Sequence, residues 1–175
     1  MYDAGPVGIY GTAFSTTGSS LAVSQPVKFD APVLMSEIGV GVAMSSDPNG
    51  RGFRVTLAGD YHDPAGTALG AWNIEPCDGT SLAYCHVITA PIRMEANRFY
   101  YVVFERGDSE FVGGVAWAGR GYTGYGLKNN GLGWFETYQA YAVRIGGYVV
   151  PEPGGLVTLA GMSLGVLLRQ KGRRK

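Results

Sequence analysis

The C-terminal end of the chain consists of three blocks that limit how far any fold can extend. Pro151, Glu152 and Pro153 form the first block, residues 154–168 form a second without ionisable side chains, and a basic end follows. Two prolines within three residues fix φ and remove two backbone N–H donors, so neither a helix nor a central strand continues through them. The folded body is therefore predicted to end near Val150.

The second block has the composition of a membrane segment. Its large apolar side chains would cover every side of a helix: Leu156, Val157, Leu159, Met162, Leu164, Val166, Leu167 and Leu168. A surface helix would need one polar face, for which only Thr158 and Ser163 are available. The block spans roughly 22 Å of a hydrocarbon core of about 30 Å, and basic side chains at its end can reach the headgroups. We expect a short C-terminal transmembrane helix.

The basic block predicts the orientation of that helix. Its five positive charges are accompanied by no negative one: Arg169, Lys171, Arg173, Arg174 and Lys175. By the positive-inside rule such an end stays in the cytoplasm, so the residues before Pro151 are expected on the other side of the membrane. The alternative is an ordinary C-terminal core helix with a solvated basic end, which would require a one-sided polar face.

In this order the three blocks resemble the PEP-CTERM sorting signal of Gram-negative bacteria. That signal has a Val-Pro-Glu-Pro motif, a short membrane segment rich in Gly and Leu, and an Arg-rich end. The resemblance covers residues 149–175. It implies export, transient anchoring in the inner membrane, and recognition by an exosortase. It further implies cleavage near residues 151–153, followed by release or attachment at the cell surface.

The N-terminal segment has a different composition from a secretory signal peptide. Residues 1–20 contain no Lys or Arg and no long apolar run. Because an exported protein needs such a leader, the expectation is that it precedes Met1. Residues 1–20 are small, polar and Gly-rich, which predicts an irregular segment with at most one short strand at 7–10.

The charge of the body differs from that of the whole chain, which is formally neutral. Five of the 14 basic residues but only one of the 14 acidic residues lie after Val150. Residues 1–150 therefore keep nine basic and 13 acidic side chains, a net charge of −4. Without a basic patch, nucleic acid is not expected as a partner.

Short runs of alternating apolar and polar residues, separated by turn signals, predict an all-β body. Residues 36–44 alternate clearly, whereas residues 99–106 are so apolar that a central strand buried on both faces is expected. Pro26 predicts that its own strand lies at an edge. About eight short strands and no amphipathic helix predict an antiparallel β-sandwich of jelly-roll kind over residues 21–150.

The two cysteines, Cys77 and Cys85, flank an Asp-Gly-Thr turn. Two strands joined by that turn would bring the sulfur atoms close, and an exported protein would oxidise them to a disulfide. Closing so short a loop contributes on the order of 2–3 kcal/mol to stability. A metal site would need four ligands, and only His86 is nearby. Free thiols would accompany a cytoplasmic location.

Candidate catalytic residues are few. Asp60, His62 and Asp63 lie together at a predicted strand end, and His86 lies elsewhere, so a hydrolase could draw on them with a serine. No nucleophile-elbow, zinc-protease or phosphate-loop motif accompanies them. Asp and His at a strand end are typical of turn chemistry. We expect no catalytic site.

Other acidic residues predict no metal or cofactor. The turn at residues 47–50 could begin a calcium loop, but Ala58 occupies the position where the bidentate glutamate is required. Asp108 and Glu110 are typical of a solvated loop rather than of a glycosidase pair. The body is therefore expected to be non-enzymatic.

An aromatic and Gly-rich stretch before the last strand offers a candidate binding surface. Tyr122, Tyr125 and Trp134 lie among glycines and the amides of Asn129 and Asn130. Ring faces beside polar partners suit a sugar, whose C–H faces stack on rings while its hydroxyls form hydrogen bonds. The alternative is that these aromatic side chains fill the core.

Two classes of function follow from these features. The first is an exported, exosortase-processed protein of the cell surface or extracellular matrix, with a non-enzymatic β-sandwich as its ectodomain. The second is a carbohydrate-binding module that acts on exopolysaccharide. A hydrolase using His62 ranks third.

Overall fold

The computed structural model covers most of the body of the chain. It describes residues 2–3, 7–14, 22–43, 53–74, 83–106, 113–118, 125–138 and 140–151. The C-terminal residues beyond Pro151, on which the predicted sorting signal and transmembrane helix fall, lie outside these residues, as do Cys77, Tyr122 and the pair Asp108 and Glu110.

The described part of the chain is all-β, as the alternation predicts. Its strands are β1 (Tyr2–Asp3), β2 (Val7–Phe14), β3 (Ala22–Lys28), β4 (Val33–Ala43), β5 (Phe53–Ala58), β6 (Ala68–Ile74), β7 (Ala83–Met94), β8 (Phe99–Arg106), β9 (Gly113–Ala118), β10 (Gly126–Asn129), β11 (Trp134–Thr137) and β12 (Val143–Val149). Every pairing between them is antiparallel. Within the described ranges, no helix is long and apolar enough to cross a membrane.

The described strands form two six-stranded sheets. In sheet A, β4 pairs with β7 on one flank and with β12 and β9 on the other, while β1 and β2 extend the sheet beyond β12 and β9. Sheet B has the order β11-β10-β3-β8-β5-β6. The short strand expected at residues 7–10 lies within β2, while residues 2–3 and 11–14 are also strand in sheet A, where the composition predicts an irregular segment.

The apolar core unites the inner faces of both sheets. Its buried members are Val23, Val27, Phe29, Val33, Met35, Ile38, Val40, Val55, Leu57, Ile74, Cys85, Met94, Tyr100, Val102, Phe104, Tyr141, Val143 and Ile145. On most strands they occupy alternate positions, so the residues between them lie on the outer faces. The fold is therefore sandwich-like, with two outer faces available for function.

Strand β8 lies at the centre of sheet B, between β3 and β5. Val102 and Phe104 face the core, and Val103 between them is also fully buried, on the outer face. The prediction of a central strand buried on both faces is confirmed. Because the middle of this outer face is inaccessible, other side chains must cover it.

The edge position predicted for the strand of Pro26 holds only for the second half of that strand. β3 pairs with β8 along its whole length and with β10 from Ala22 to Ser24. The pairing with β10 stops two residues before Pro26, so the missing N–H does not interrupt that ladder. A proline is thus accommodated in a strand that is central over its first half.

A β-bulge in β4 shifts the alternation of its core residues. Met35 and Ile38 both lie in the core although three positions separate them. The register with β12 breaks between Gly146 and Gly147, which pair with Glu37 and Met35. The extra residue of a bulge reverses which side chains face inward, so Val33 to Met35 fall outside the pattern of residues 36–44.

Candidate functional site

The outer face of sheet B has a fully buried centre. Ser24, Val103 and Thr56 lie opposite one another on three neighbouring strands, and none is more than 2% exposed. Leu127, which pairs with Ser24, is also buried on this face. Large side chains around this centre form the candidate site.

Three aromatic rings meet above this face. The ring of Tyr61 lies 4.9 Å from that of Tyr101 and 5.4 Å from that of Trp134, almost perpendicular to the indole at 82°. Tyr101 belongs to β8, Trp134 to β11, and Tyr61 to the connection between β5 and β6. A fourth ring, Tyr125, directly precedes β10 and is 44% exposed. We call Tyr61, Tyr101, Tyr125 and Trp134 the aromatic platform.

The position of the Tyr61 ring follows from its two contacts. Strands β3 and β10 lie between β8 and β11, and neighbouring strands are about 4.8 Å apart. A ring that contacts both Tyr101 and Trp134 must therefore lie above β3 and β10. This places it over the part of the face where Ser24 and Leu127 are buried.

Carboxylates that accept backbone hydrogen bonds fix the loop that carries Tyr61. Asp60 Oδ1 accepts the backbone N–H of His62 at 2.9 Å and lies 3.2 Å from its Nδ1. Asp63 Oδ1 accepts the N–H of Gly66 at 2.9 Å. These are Asx-turn bonds, in which a short acidic side chain replaces a backbone acceptor. The cluster of Asp and His is thus used to shape the loop.

A threonine closes the same loop. Thr67 Oγ1 donates to the backbone oxygen of Asp63 at 2.7 Å, and Asp60 N donates to Thr67 Oγ1 at 3.0 Å. Gly59 N also donates to the backbone oxygen of Thr67 at 3.1 Å. Tyr61 is therefore held by a loop with many internal bonds.

A buried glutamine anchors Tyr125. Gln25 Nε2 donates to the backbone oxygens of Pro26 and Tyr125, at 3.0 and 3.4 Å, and its Oε1 accepts the N–H of Tyr141 at 2.7 Å. Gln25 is buried, where a satisfied amide is needed to offset desolvation. The backbone that carries Tyr125 is therefore tied to the core.

The electrostatics of the platform favour a neutral Tyr101 phenol beside an ionised Asp60 carboxylate. Burial raises the pKa of Tyr101, and the nearby Tyr61, Tyr125 and Asp60 raise it further. The backbone N–H of His62 is the main cause that lowers the pKa of Asp60. At neutral pH the site thus combines aromatic faces, phenol donors and a carboxylate acceptor.

The hydroxyl of Ser24 is an exception to the rule that buried polar groups are hydrogen-bonded. Its Oγ is inaccessible and has no partner in the described part of the molecule. Leaving such a group unsatisfied costs on the order of 1–3 kcal/mol. The cost falls on the same face as the platform.

The outer face of sheet A carries a different set of side chains. His86 Nδ1 lies 2.6 Å from Glu37 Oε1, and the guanidinium of Arg144 lies 4.1 Å from the ring centre of Tyr84. Gly39 lies between Arg144 and His86, and a Cβ there would lie 2.9 Å from His86 Cε1. We call Glu37, Tyr84, His86 and Arg144 the polar cluster.

The structure brings together two of the three predicted glycan-contacting residues. Tyr125 and Trp134 both lie at the platform and outside the core, whereas Tyr122 lies outside the described residues.

No motif predicted Tyr61 or Tyr101 as part of the site. In the sequence Tyr61 continues the alternation of Val55 and Leu57, which predicts a core position, but β5 ends at Ala58 and the ring lies above the outer face. Tyr101 lies in a strand expected to be buried on both faces.

The amides expected beside these rings have another role. Asn129 Oδ1 accepts the N–H of Gly131 at 2.8 Å, and Asn130 Oδ1 accepts the N–H of Leu132 at 3.0 Å. Both side chains stabilise the loop between β10 and β11. Gly131 has a positive φ of 90°, as a tight hairpin loop requires.

The candidate catalytic histidines are not brought together. His62 belongs to the loop next to sheet B, while His86 pairs with Glu37 on the outer face of sheet A. Among the residues described here, no three His, Cys, Asp or Glu side chains could hold a metal ion.

Cys85 is buried in the core and is disulfide-bonded. Cys77, the only other cysteine of the chain, lies outside the described residues, so the pairing stays a prediction.

Neither a protein-family model nor a curated protein nor a solved structure matches this chain. The candidate site rests on its geometry.

Proposed function

We propose that this chain is an exported, exosortase-processed protein of the cell surface or extracellular matrix, with a non-enzymatic ectodomain. In this proposal the ectodomain is a jelly-roll-like sandwich, and residues 154–168 form a short transmembrane helix that anchors it before cleavage. The exosortase and the inner membrane are then transient partners.

The order of the C-terminal blocks is the observation that carries this proposal. Two prolines separated by Glu152 end the body, an apolar run follows, and five basic residues close the chain. Two features of the body are in keeping with it. Cys85 is disulfide-bonded, as is common in oxidising compartments, and the described strands end at Val149, just before Pro151.

Intact mass and location test the sorting role. The chain would be expressed behind a cleavable secretion leader in a host with an exosortase, and in the same host lacking it. We expect loss of the residues after 151–153 and recovery outside the inner membrane only where the exosortase is present. A matched variant, Glu152→Ala, should remain uncleaved. Equal processing in both hosts would contradict the proposal.

A second candidate function is carbohydrate binding, with exopolysaccharide as the partner. The aromatic platform favours it, because Tyr61, Tyr125 and Trp134 place ring surfaces beside phenol hydroxyls and the Asp60 carboxylate. Sugars bind to such combinations of aromatic and polar groups. The same observation gives the ectodomain a role after sorting.

Glycan binding by the full chain tests this second function. Trp134→Ala and Tyr125→Ala should each weaken binding without loss of folding, because both side chains lie outside the core cluster. Retention of full binding in both variants would locate any glycan site elsewhere.

A further inference from the structure

The platform has a shape and charge that narrow its ligand to one class of glycan. We propose that it binds a neutral, β-linked hexose polymer, with Tyr61 and Trp134 as the two principal stacking rings. This inference rests on the proposed carbohydrate-binding role. It adds Tyr61 and Tyr101 to the site and names the sugar class.

The angle between the two rings supplies the shape. Tyr61 and Trp134 stand at 82° with their centres 5.4 Å apart, so they form a corner. The His62 imidazole stacks on one face of Tyr61 at 4.0 Å and holds this ring in place. A hexose ring with equatorial substituents has flat C–H faces that stack on one aromatic ring, while its rim contacts the second. Tyr101, tilted by 56° against Tyr61, supports the other side of the corner.

The extent of the platform suits a polymer rather than a single sugar. Its rings are carried by β8, by β11 and by the loop that lies above the strands between them. Four strands at about 4.8 Å spacing give a width of roughly 14 Å. β-Linked hexoses form extended chains, so successive sugars can contact different rings of the platform, one through a flat face and the next through its rim.

The charges around the platform favour a neutral ligand. Asp60 precedes Tyr61, and Glu136 lies on the same face of β11 as Trp134. Lys28 also lies on this outer face, over the ring of Phe99, so the face carries charges of both signs. Both carboxylates can accept hydrogen bonds from sugar hydroxyls, and both would repel a uronate or sulfate. The net negative charge of residues 1–150 acts in the same direction.

The loop of Tyr61 limits the entropy cost of binding. Asp60, Asp63 and Thr67 fix this loop through internal hydrogen bonds, and Gln25 fixes the backbone at Tyr125. Rings that are already positioned lose little freedom when a ligand stacks on them. The platform is thus pre-formed for a ligand that binds through ring faces.

Direct titration of the full chain with two soluble polymers tests the proposal. One is a neutral β-glucan and the other a polyuronate of matched length, each followed by calorimetry. We expect saturable binding of the β-glucan and at least tenfold weaker binding of the polyuronate. Tyr61→Ala and Trp134→Ala should each weaken β-glucan binding about tenfold, whereas Tyr61→Phe should stay within about threefold.

Matched controls keep the outcome clear. Tyr148→Ala removes a tyrosine that is 58% exposed on β12 in sheet A, and it should bind like the unaltered chain. If Tyr61→Ala does not fold, Tyr125→Ala replaces it, with an expected severalfold loss. A folded Tyr61→Ala protein has the thermal midpoint and near-ultraviolet spectrum of a native sandwich.

Four results would overturn the proposal. Tighter binding of the polyuronate than of the β-glucan would refute a preference for neutral glycans. Equal losses of affinity in Tyr61→Phe and Tyr61→Ala would refute the stacking role of Tyr61. β-Glucan binding that survives both alanine variants would refute the platform while leaving a carbohydrate-binding role intact. Absence of binding to either polymer would refute both the platform and the carbohydrate-binding role. The proposal of exosortase processing would not be affected by that result.

Discussion

The two outer faces of the sandwich bury their centres in different ways. On sheet A, Gly39 leaves room for the His86 imidazole, which pairs with Glu37, while Arg144 stacks on Tyr84. On sheet B, branched and small residues form the centre, and aromatic rings lie above them. Polar groups on sheet A satisfy one another, whereas the rings on sheet B leave surfaces that a ligand can use.

The two faces differ in whether their outward side chains are paired with one another, although their backbones are similar. Both faces come from the same alternation between core and outer positions. Glu37 and His86 are each somewhat more than 40% exposed, so their contact contributes little to the free energy of unfolding. The contact nevertheless provides each side chain with a polar partner within the protein. At the platform the rings contact one another, and the His62 imidazole stacks on Tyr61 at 4.0 Å, but ring surface such as that of Tyr125, which is 44% exposed, stays open to a ligand.

The largest expected effect on stability is at the β-bulge of sheet A, which lies next to Glu37 of the polar cluster. A Cβ at Gly147 would meet the carbonyl oxygen of Leu34 and lie 2.9 Å from Met35 Cα, both backbone atoms. Gly147→Ala should therefore lower the free energy of unfolding by about 3 kcal/mol, as overpacking against a rigid backbone does. Urea denaturation measures the loss.

The neighbouring glycine gives the matched control. A Cβ at Gly146 would lie 3.0 Å from Glu37 Oε2, the end of a movable side chain. Gly146→Ala should cost less than about 1 kcal/mol. Equal losses in the two variants would mean that the bulge does not require close backbone approach.

On sheet B, removal of a hydroxyl should increase stability. Ser24 Oγ is buried and unpartnered among the described residues, so Ser24→Ala removes a desolvated polar group. We expect the free energy of unfolding to rise by about 1 kcal/mol. Chemical denaturation of the two proteins side by side checks this, and a clear loss of stability would mean that the hydroxyl has a partner.

Replacement of the imidazole on sheet A should have a smaller effect. His86→Gln removes the contact with Glu37 at a half-exposed site, where ion pairs are worth about 0.5 kcal/mol. The same urea titration measures it, with Glu37→Gln as the reciprocal variant. A loss above about 2 kcal/mol would show that the pair is structurally essential and would contradict the small energy expected of this exposed pair.

The smallest effect is a pH dependence confined to sheet B. The pKa of Tyr101 is raised, so as pH rises above about 10 the unfolded chain loses this proton before the folded protein does. The associated stability is complete below pH 10 and is lost as pH rises through the raised pKa. Thermal midpoints from pH 9 upward should fall less steeply in Tyr101→Phe, and identical profiles would contradict the shift.

Local patterns predicted the strands well wherever the alternation is unbroken. Residues 99–106 were expected as one central strand, and β8 has these limits. The prediction for β4 began three residues late because the bulge beside Gly147 reverses its inward-facing side chains. Bulges depend on the partner strand, which a single segment of sequence does not specify.

The candidate site was predicted only in part, because its residues meet through tertiary structure. Trp134 and Tyr125 were recognisable from their composition, but β10 and β11 around them were not predicted as a hairpin. Tyr61 and Tyr101 join them because β8 lies two strands from β10 and the loop after β5 returns over the sheet. Strand order, rather than local pattern, decides this constellation.

Mapping a neutral β-glucan oligosaccharide by two-dimensional NMR tests most directly whether the two faces differ in function. The aromatic platform predicts ligand-induced shifts in the loop that carries Tyr61, in β8 around Tyr101, and in the hairpin that contains Trp134. Resonances of Tyr84, His86 and the other members of the polar cluster should stay unchanged. Shifts concentrated on the polar cluster, with the platform silent, would contradict this assignment of the faces.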